Sequence, residues 1–144
     1  MKISKIKEVK TPTRGTPESA GIDFYVPEGV HLTLQPQQSC LIPSGIKADV
    51  PSGHALVAFN KSGVAVKKCL YAGACVVDED YQGEIHFNLT NVGSAPTEIK
   101  GGEKIIQFVL LPVFYDTIEE VEIENLYRET TLRGEGGFGS TGVE

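Results

Sequence analysis

Cysteine, basic charge and long apolar runs are all scarce in this 144-residue chain, and each shortage closes off a class of function. Its cysteines, Cys40, Cys69 and Cys75, are odd in number and lack C-x-x-C spacing, which argues against both a disulfide framework and a zinc site. A reducing, cytoplasmic compartment suits such thiols. Thirteen Lys and Arg stand against 19 Asp and Glu, a formal net charge of −6 that opposes the phosphate neutralisation driving attachment to long nucleic acids. A polymeric nucleic-acid partner is therefore not expected. A nucleotide with a few phosphates remains open, because a local cluster of cations and N–H groups, helped by a divalent cation, can outweigh a modest global charge. The chain start, Met1 to Lys5, carries no apolar stretch, and nowhere do enough apolar residues run together to span a bilayer, so neither secretion nor a membrane partner is expected.

Long helical patterns are missing too. Sixteen glycines and eight prolines cut the chain into pieces mostly too short for a helix of about 10–12 residues, so the reading is all-β. At 40% hydrophobic and 22% charged the composition is that of a folded globular domain, and residues 1–144 are read as one such domain with 133–144 as a C-terminal arm. The clearest strand is Glu84 to Asn91, where Ile85, Phe87 and Leu89 alternate with His86, Asn88 and Thr90. Ala55–Phe59 and Ile105–Leu111 are nearly continuous apolar runs, expected to be interior strands covered on both faces. Further strands are expected at Ile22–Val26, His31–Leu34, Ser39–Ile42, Ile46–Val50 and Val121–Ile123. Turns are marked by Pro27-Glu28-Gly29, Pro43-Ser44-Gly45 and Pro51-Ser52-Gly53. Such even spacing suggests a sandwich, barrel or jelly roll. Glu119, Glu120, Glu122 and Glu124 form an acidic stretch that reads as a solvated strand face.

Five segments hold candidate chemistry. Arg133 to Gly142 packs five glycines into ten residues and can be neither a packed strand nor a helix. By composition it reads as a loose terminus. Its glycines also let successive N–H groups approach a phosphate, Arg133 adds a bidentate cation, Ser140 and Thr141 add hydroxyls, and Phe138 can stack on a base. The Walker pattern is absent, so a tail that orders over a ligand is the better picture. Gly73 to Glu84 reads as a β-hairpin with acids at its rim: an acidic surface turn, or a pocket mouth at which Asp78, just after Cys75-Val76-Val77, serves as a general base toward water. Asn60-Lys61-Ser62-Gly63-Val64-Ala65 follows a buried strand and supplies a cation, a hydroxyl and backbone suited to phosphate oxygens, although an ordinary polar turn has the same composition. Gln107 interrupts an apolar run, where a buried amide needs partners, structural or otherwise. Asp23, between apolar neighbours in Ala20 to Phe24, reads alone as a strand-end acid.

Taken together and in order, these segments resemble the five motifs of the trimeric dUTP pyrophosphatase (dUTPase) family, from Ala20 to Gly142. The resemblance implies a jelly-roll subunit (a distorted β-barrel), a homotrimer with active sites at subunit interfaces, and Mg²⁺-dependent hydrolysis of dUTP to dUMP and pyrophosphate. It implies Asp78 as catalytic base and Gln107 as holder of the attacking water. It implies phosphate contacts from Lys61, Ser62 and Gly63, and Asp23 in the metal's water shell. Backbone groups near Cys75 and Val77 would read uracil, and Tyr81 would sit under the deoxyribose and exclude a 2′-hydroxyl. Phe138 would cover the base, and Arg133, Gly139, Ser140 and Thr141 would clamp the β- and γ-phosphates, the arm usually coming from a neighbouring subunit.

Two positions depart from the pattern. Lys61 stands where the family most often has Arg, replacing a planar fork by a point charge. Ala72 stands where some members place a base-contacting Asn, leaving base reading to the backbone. A dCTP deaminase on the same fold would need an additional acid and polar groups, and the Tyr81 segment and the tail match the uracil-specific branch better. A regulatory role through a protein partner has no support in the residues.

Overall fold

The computed structural model of the chain describes residues 1–137. Twelve strands and one α-helix follow one another among them: β1 (Lys2–Lys5), β2 (Thr13–Arg14), β3 (Ile22–Tyr25), β4 (His31–Leu34), β5 (Ser39–Pro43), β6 (Ile46–Asp49), β7 (His54–Asn60), α1 (Ser62–Lys68), β8 (Leu70–Ala72), β9 (Val76–Val77), β10 (His86–Asn91), β11 (Thr97–Lys100) and β12 (Lys104–Pro112). The largest sheet runs β2-β3-β12-β7-β9, a second runs β5-β10-β8, and β1-β6 and β11-β4 form two-stranded ladders. The described pairings are antiparallel. The all-β, jelly-roll expectation holds, and the three Pro-x-Gly turns fall between β3 and β4, between β5 and β6 and between β6 and β7.

Two compact units divide the chain, Met1–Phe114 and Tyr115–Glu144. The apolar core belongs to the first. Phe24 and Phe108 from the largest sheet meet Phe87 from the second, with ring centroids 4.6 to 6.4 Å apart, and all three are essentially inaccessible to water. Burying each such ring stabilises the fold by roughly 1.5–3 kcal/mol. β10 carries the expected alternation, Phe87, Leu89 and Asn91 inward and His86, Asn88 and Thr90 outward. Asn91, an amide on the apolar side, is satisfied: Nδ2 donates to the carbonyls of Leu34 and Ala95, and Oδ1 accepts from Gly93 N–H.

Several expectations need correction. β7 and β12 lie inside their sheet, but only one face is fully covered: Leu56 and Phe108 are buried whereas Phe59 is 44% exposed and Val57, Val109 and Leu111 are half-buried. A register shift between Lys104 and Ile106 lets the consecutive Ile105 and Ile106 both turn inward. Val121–Ile123 is not a strand; a short 3₁₀ turn covers Ile123–Asn125. A strand needs a ladder partner, and the described residues of the second unit contain none.

Among the turns, Gly45 has φ +75°, and a Cβ there would lie 3.0 Å from Lys7 Cβ. Its N–H donates to Glu84 Oε1 (2.7 Å), and Lys7 Nζ reaches the same oxygen at 3.0 Å. Burial opposes the Glu84 charge, but the Gly45 and Lys7 bonds outweigh it and hold the carboxyl below its ordinary value. A depressed folded value means stability present above the unfolded carboxyl pKa and lost as pH falls through the folded one. Glu84→Gln is therefore expected to cost about 1.5 kcal/mol near neutrality and progressively less in acid. Urea unfolding midpoints measured from neutral pH down into the acid range will check this; a pH-independent difference would contradict it.

Candidate active site

β12 runs between β3 and β7, and its register sets Gln107 opposite Asp23 on one side and Phe59 on the other, with Ile106 opposite Asn60. Two of the residues expected to carry chemistry are thereby gathered, and a third, Lys61, follows Asn60 directly. Asp23 is buried, 7% exposed, and its carboxylate is paired with the Lys61 ammonium on Oδ1 and the Lys104 ammonium on Oδ2 (3.4 Å). A carboxylate so withdrawn from water needs such partners. The hydrogen bond to Asp23, assisted by Tyr25 and by the Asp23 charge, holds the Lys104 amine above its ordinary value. Gln107 is half-buried rather than fully enclosed, and its Nε2 donates to the Asn60 carbonyl at 2.8 Å. Its Oε1 lies over Gly21: a Cβ on that glycine would come within 2.0 Å of it. Glycine at position 21 is thus what lets the amide lie flat against the β3 approach.

From β7 the chain passes through Lys61, in extended conformation, straight into α1, so the segment is helical and not the polar turn its composition also allows. No side chain caps the helix start, and the N–H groups of Ser62 and Gly63 have no acceptor within the helix. A left-handed Cys69 (φ +51°) stops it after seven residues, with Lys67 and Lys68 placed favourably in its last turn.

The segment from Gly73 to Glu84 is not a hairpin. Its strand β9 pairs with β7, whereas β10, which follows Glu84, pairs with β5 and β8, so the arms on either side of the acids belong to different sheets. A two-residue arm such as β9 gains more by extending an existing sheet than by forming a hairpin of its own. Val77, Asp78 and Tyr81 line one cavity of about 210 Å³ together with Glu84 and Phe108. The Tyr81 hydroxyl donates to the Glu84 carbonyl at 2.9 Å, and Tyr81 N–H donates to the Asp78 carbonyl at 3.2 Å, fixing the ring across the mouth of that turn. Asp78 is exposed there. The Cys75 carbonyl accepts from Ala58 N–H at 2.7 Å, which commits one of its lone pairs. All three cysteines are free thiols.

Two groups thus emerge in the first unit: Asp23, Lys61 and Gln107, followed by Ser62 and Gly63, and separately Val77, Asp78 and Tyr81. Arg133 belongs to the second unit, where its Nε donates to the Gly136 carbonyl at 2.9 Å. Phe138, Gly139, Ser140 and Thr141 lie outside the described residues. Sequence reasoning gave no role to Lys104 or Glu84, the partner of Asp23 and a wall of the Asp78 cavity, and nothing in their local sequence marks them.

By class, this is an all-β jelly-roll protein with carboxylate, amide and ammonium groups at the centre of its largest sheet and a second carboxylate in a nearby cavity of the same unit. The family model described as dUTPase matches residues 7–142. The deoxyuridine 5'-triphosphate nucleotidohydrolase of Desulfitobacterium hafniense (strain DSM 10664 / DCB-2) is 41% identical over 98% of this chain and 93% of its own length. The chain belongs to the dUTPase family. Among solved structures, the dUTPase of Staphylococcus bacteriophage 80alpha with dUPNHPP shares the fold at a TM-score of 0.87 and 23% identity, covering 99% of this chain and 98% of its own. A mutant dUTPase from phage phi11 of S. aureus, reported to coordinate a structural Mg(II) ion, shares it at a TM-score of 0.76 and 21% identity, covering 84% and 95%.

Proposed function

We propose that the chain hydrolyses dUTP to dUMP and pyrophosphate by attack of water on the α-phosphorus, which limits uracil entry into DNA and supplies dUMP for thymidylate synthesis. Family membership supports the substrate, and the observation that carries the mechanism is Asp78 lining one cavity with Val77 and Tyr81. Asp78 takes the proton from the water, a general-base contribution of about 10²–10⁴-fold. Gln107, its amide fixed by Asn60, holds that water, and Tyr81 lies against the deoxyribose. Lys61 and the N–H groups of Ser62 and Gly63 meet the phosphates, where charge grows during displacement. Backbone groups at Cys75 and Val77 read the base, accepting the uracil N3–H and donating to O4, so cytosine leaves them unpaired. Arg133, Phe138, Gly139, Ser140 and Thr141 complete the substrate contacts from residues 133–144, the proposed arm of a single domain.

Magnesium fits this donor set. No group of three or more His, Cys, Asp or Glu is placed to cage an ion among the described residues, while Asp23 offers a hard carboxylate that already draws two cations. Asp23 would hold Mg²⁺ through water, and the ion would neutralise the triphosphate. A homotrimer with interface sites supplies what β7 and β12 lack, a cover for Phe59, Val57 and Val109. No helix among the described residues is long and apolar enough to cross a membrane, and we place the activity in the cytoplasm, where the free thiols are at home.

Pyrophosphate release from dUTP, dCTP, dTTP and UTP, side by side with and without Mg²⁺, tests the reading. Release from dUTP alone, and only with the metal, is expected. Comparable turnover of all four would remove the selectivity argument, and ammonia from dCTP would favour a deaminase.

A further inference from the structure

We propose that Lys68 is a positioning residue for the phosphate-contacting segment Lys61-Ser62-Gly63, which it places by locking the far end of α1 to Glu103; this rests on the functional reading above. α1 needs such a tie. A helix of seven residues is far too short to be stable in isolation, and none of its residues is buried. It crosses from β7, in the largest sheet, to β8, in the second, with Val64 resting half-buried against the core. Polar ties secure its two ends. At the front, Lys61 pairs with Asp23. At the rear, the Lys68 ammonium donates to Glu103 Oε1 at 2.6 Å, to Glu103 Oε2 at 2.7 Å and to the Glu98 carbonyl at 2.8 Å. An ammonium has three N–H groups, and here each has its own acceptor. Fixing a long side chain in one geometry costs rotamer freedom that a single open ion pair scarcely offsets, whereas three short bonds at a side chain only 30% exposed do so.

The carboxylate that receives Lys68 is itself fixed. Glu103 N–H donates to the Lys100 carbonyl at 3.2 Å, Glu103 Oε2 accepts from Lys100 N–H at 3.1 Å, and the Glu103 carbonyl accepts from Val26 N–H at 2.9 Å. Val26 follows β3, which carries Asp23, and Glu103 directly precedes β12, which carries Gln107. Lys68 therefore refers the helix to the two strands that hold the metal-side acid and the water-holding amide. Substrate acts differently on the two ties. In the proposed reaction Lys61 meets the phosphates, so the front tie is the one that binding draws on. The rear tie touches no substrate and persists. With it, the Ser62 and Gly63 N–H groups are in place when Lys61 leaves Asp23; without it the helix is free to tilt, and a displacement of about 1 Å changes rates up to 10²-fold.

The test compares the affinity of the full-length protein for a non-hydrolysable dUTP analogue and for deoxyuridine, which has the same base and sugar but no phosphate. Both are measured with Mg²⁺ for the unsubstituted chain, Lys68→Met and Lys68→Arg, with melting temperatures alongside. Lys68→Met keeps the apolar stem and removes the charge. It is expected to weaken the analogue about tenfold while leaving deoxyuridine unchanged, and to move the melting temperature little, because the pair is partly open to water. In Lys68→Arg a guanidinium meets the carboxylate through two bonds, and analogue affinity is expected to recover. Unchanged analogue affinity in Lys68→Met, an equal loss for analogue and deoxyuridine, or a loss that Lys68→Arg leaves in place overturns the assignment. If the unsubstituted protein holds the analogue no more tightly than deoxyuridine, the functional reading falls with it; if it does prefer the analogue and Lys68→Met keeps the same preference, only the role of Lys68 falls.

Discussion

Replacement of Asp78 by Asn leaves a folded protein that still binds dUTP and releases pyrophosphate about 10²–10⁴-fold more slowly. The side chain is exposed at the rim of a cavity, so an amide of nearly the same shape neither opens a void nor strands a buried charge. What it loses is the lone pair that takes a proton from water. The effect therefore belongs in kcat, since a group acting on the water in the transition state contributes little to holding the nucleotide in the ground state. Rapid-quench turnover together with equilibrium binding of a non-hydrolysable dUTP analogue separates the two. Retention of more than about a tenth of the original kcat removes Asp78 from the role of base, and loss of binding equal to the loss of turnover makes it a binding residue instead.

The largest effect on stability is expected at Phe87. Its ring, on the second sheet, meets Phe24 and Phe108 from the first, so it bridges the two layers. Phe87→Ala is expected to cost about 3–5 kcal/mol, the sum of lost transfer free energy and the cavity left between sheets that cannot close independently. For a chain of this size the melting temperature falls on the order of 10 °C. Phe87→Leu refills most of the volume and is expected to cost about 1.5 kcal/mol or less. Calorimetric unfolding of both variants checks the pair; equal losses would show that ring contacts rather than cavity volume set the cost.

Much of the fold was legible because it is written in periods and turn residues. The β10 alternation and the Pro-x-Gly turns between β3 and β7 required only neighbours in the chain. Failures occurred where a distant partner decides. Val121–Ile123 has the composition of a strand but no ladder to join among the described residues, and the Gly73 to Glu84 segment has that of a hairpin, yet its strand β9 pairs with β7 while the β10 that follows it pairs with β5 and β8. α1 is a seven-residue helix between strands, too short for a period to announce it.

For the site, the kinds of residue were readable and their partners were not. Asp78 and Lys61 stand out as polar groups just after apolar runs and Gln107 and Asp23 as polar groups inside them, and their order along the chain points to one family. Asp23 pairs with Lys61 across 38 positions and Gln107 bonds Asn60 across 47. Side-chain chemistry and local periodicity are properties of short stretches, so the sequence by itself determined an all-β chain with the inventory of the dUTPase family. Which lysines neutralise Asp23 and which carbonyl holds Gln107 follow from strand register, and only the tertiary structure decided them, because register depends on packing between segments that share no local code.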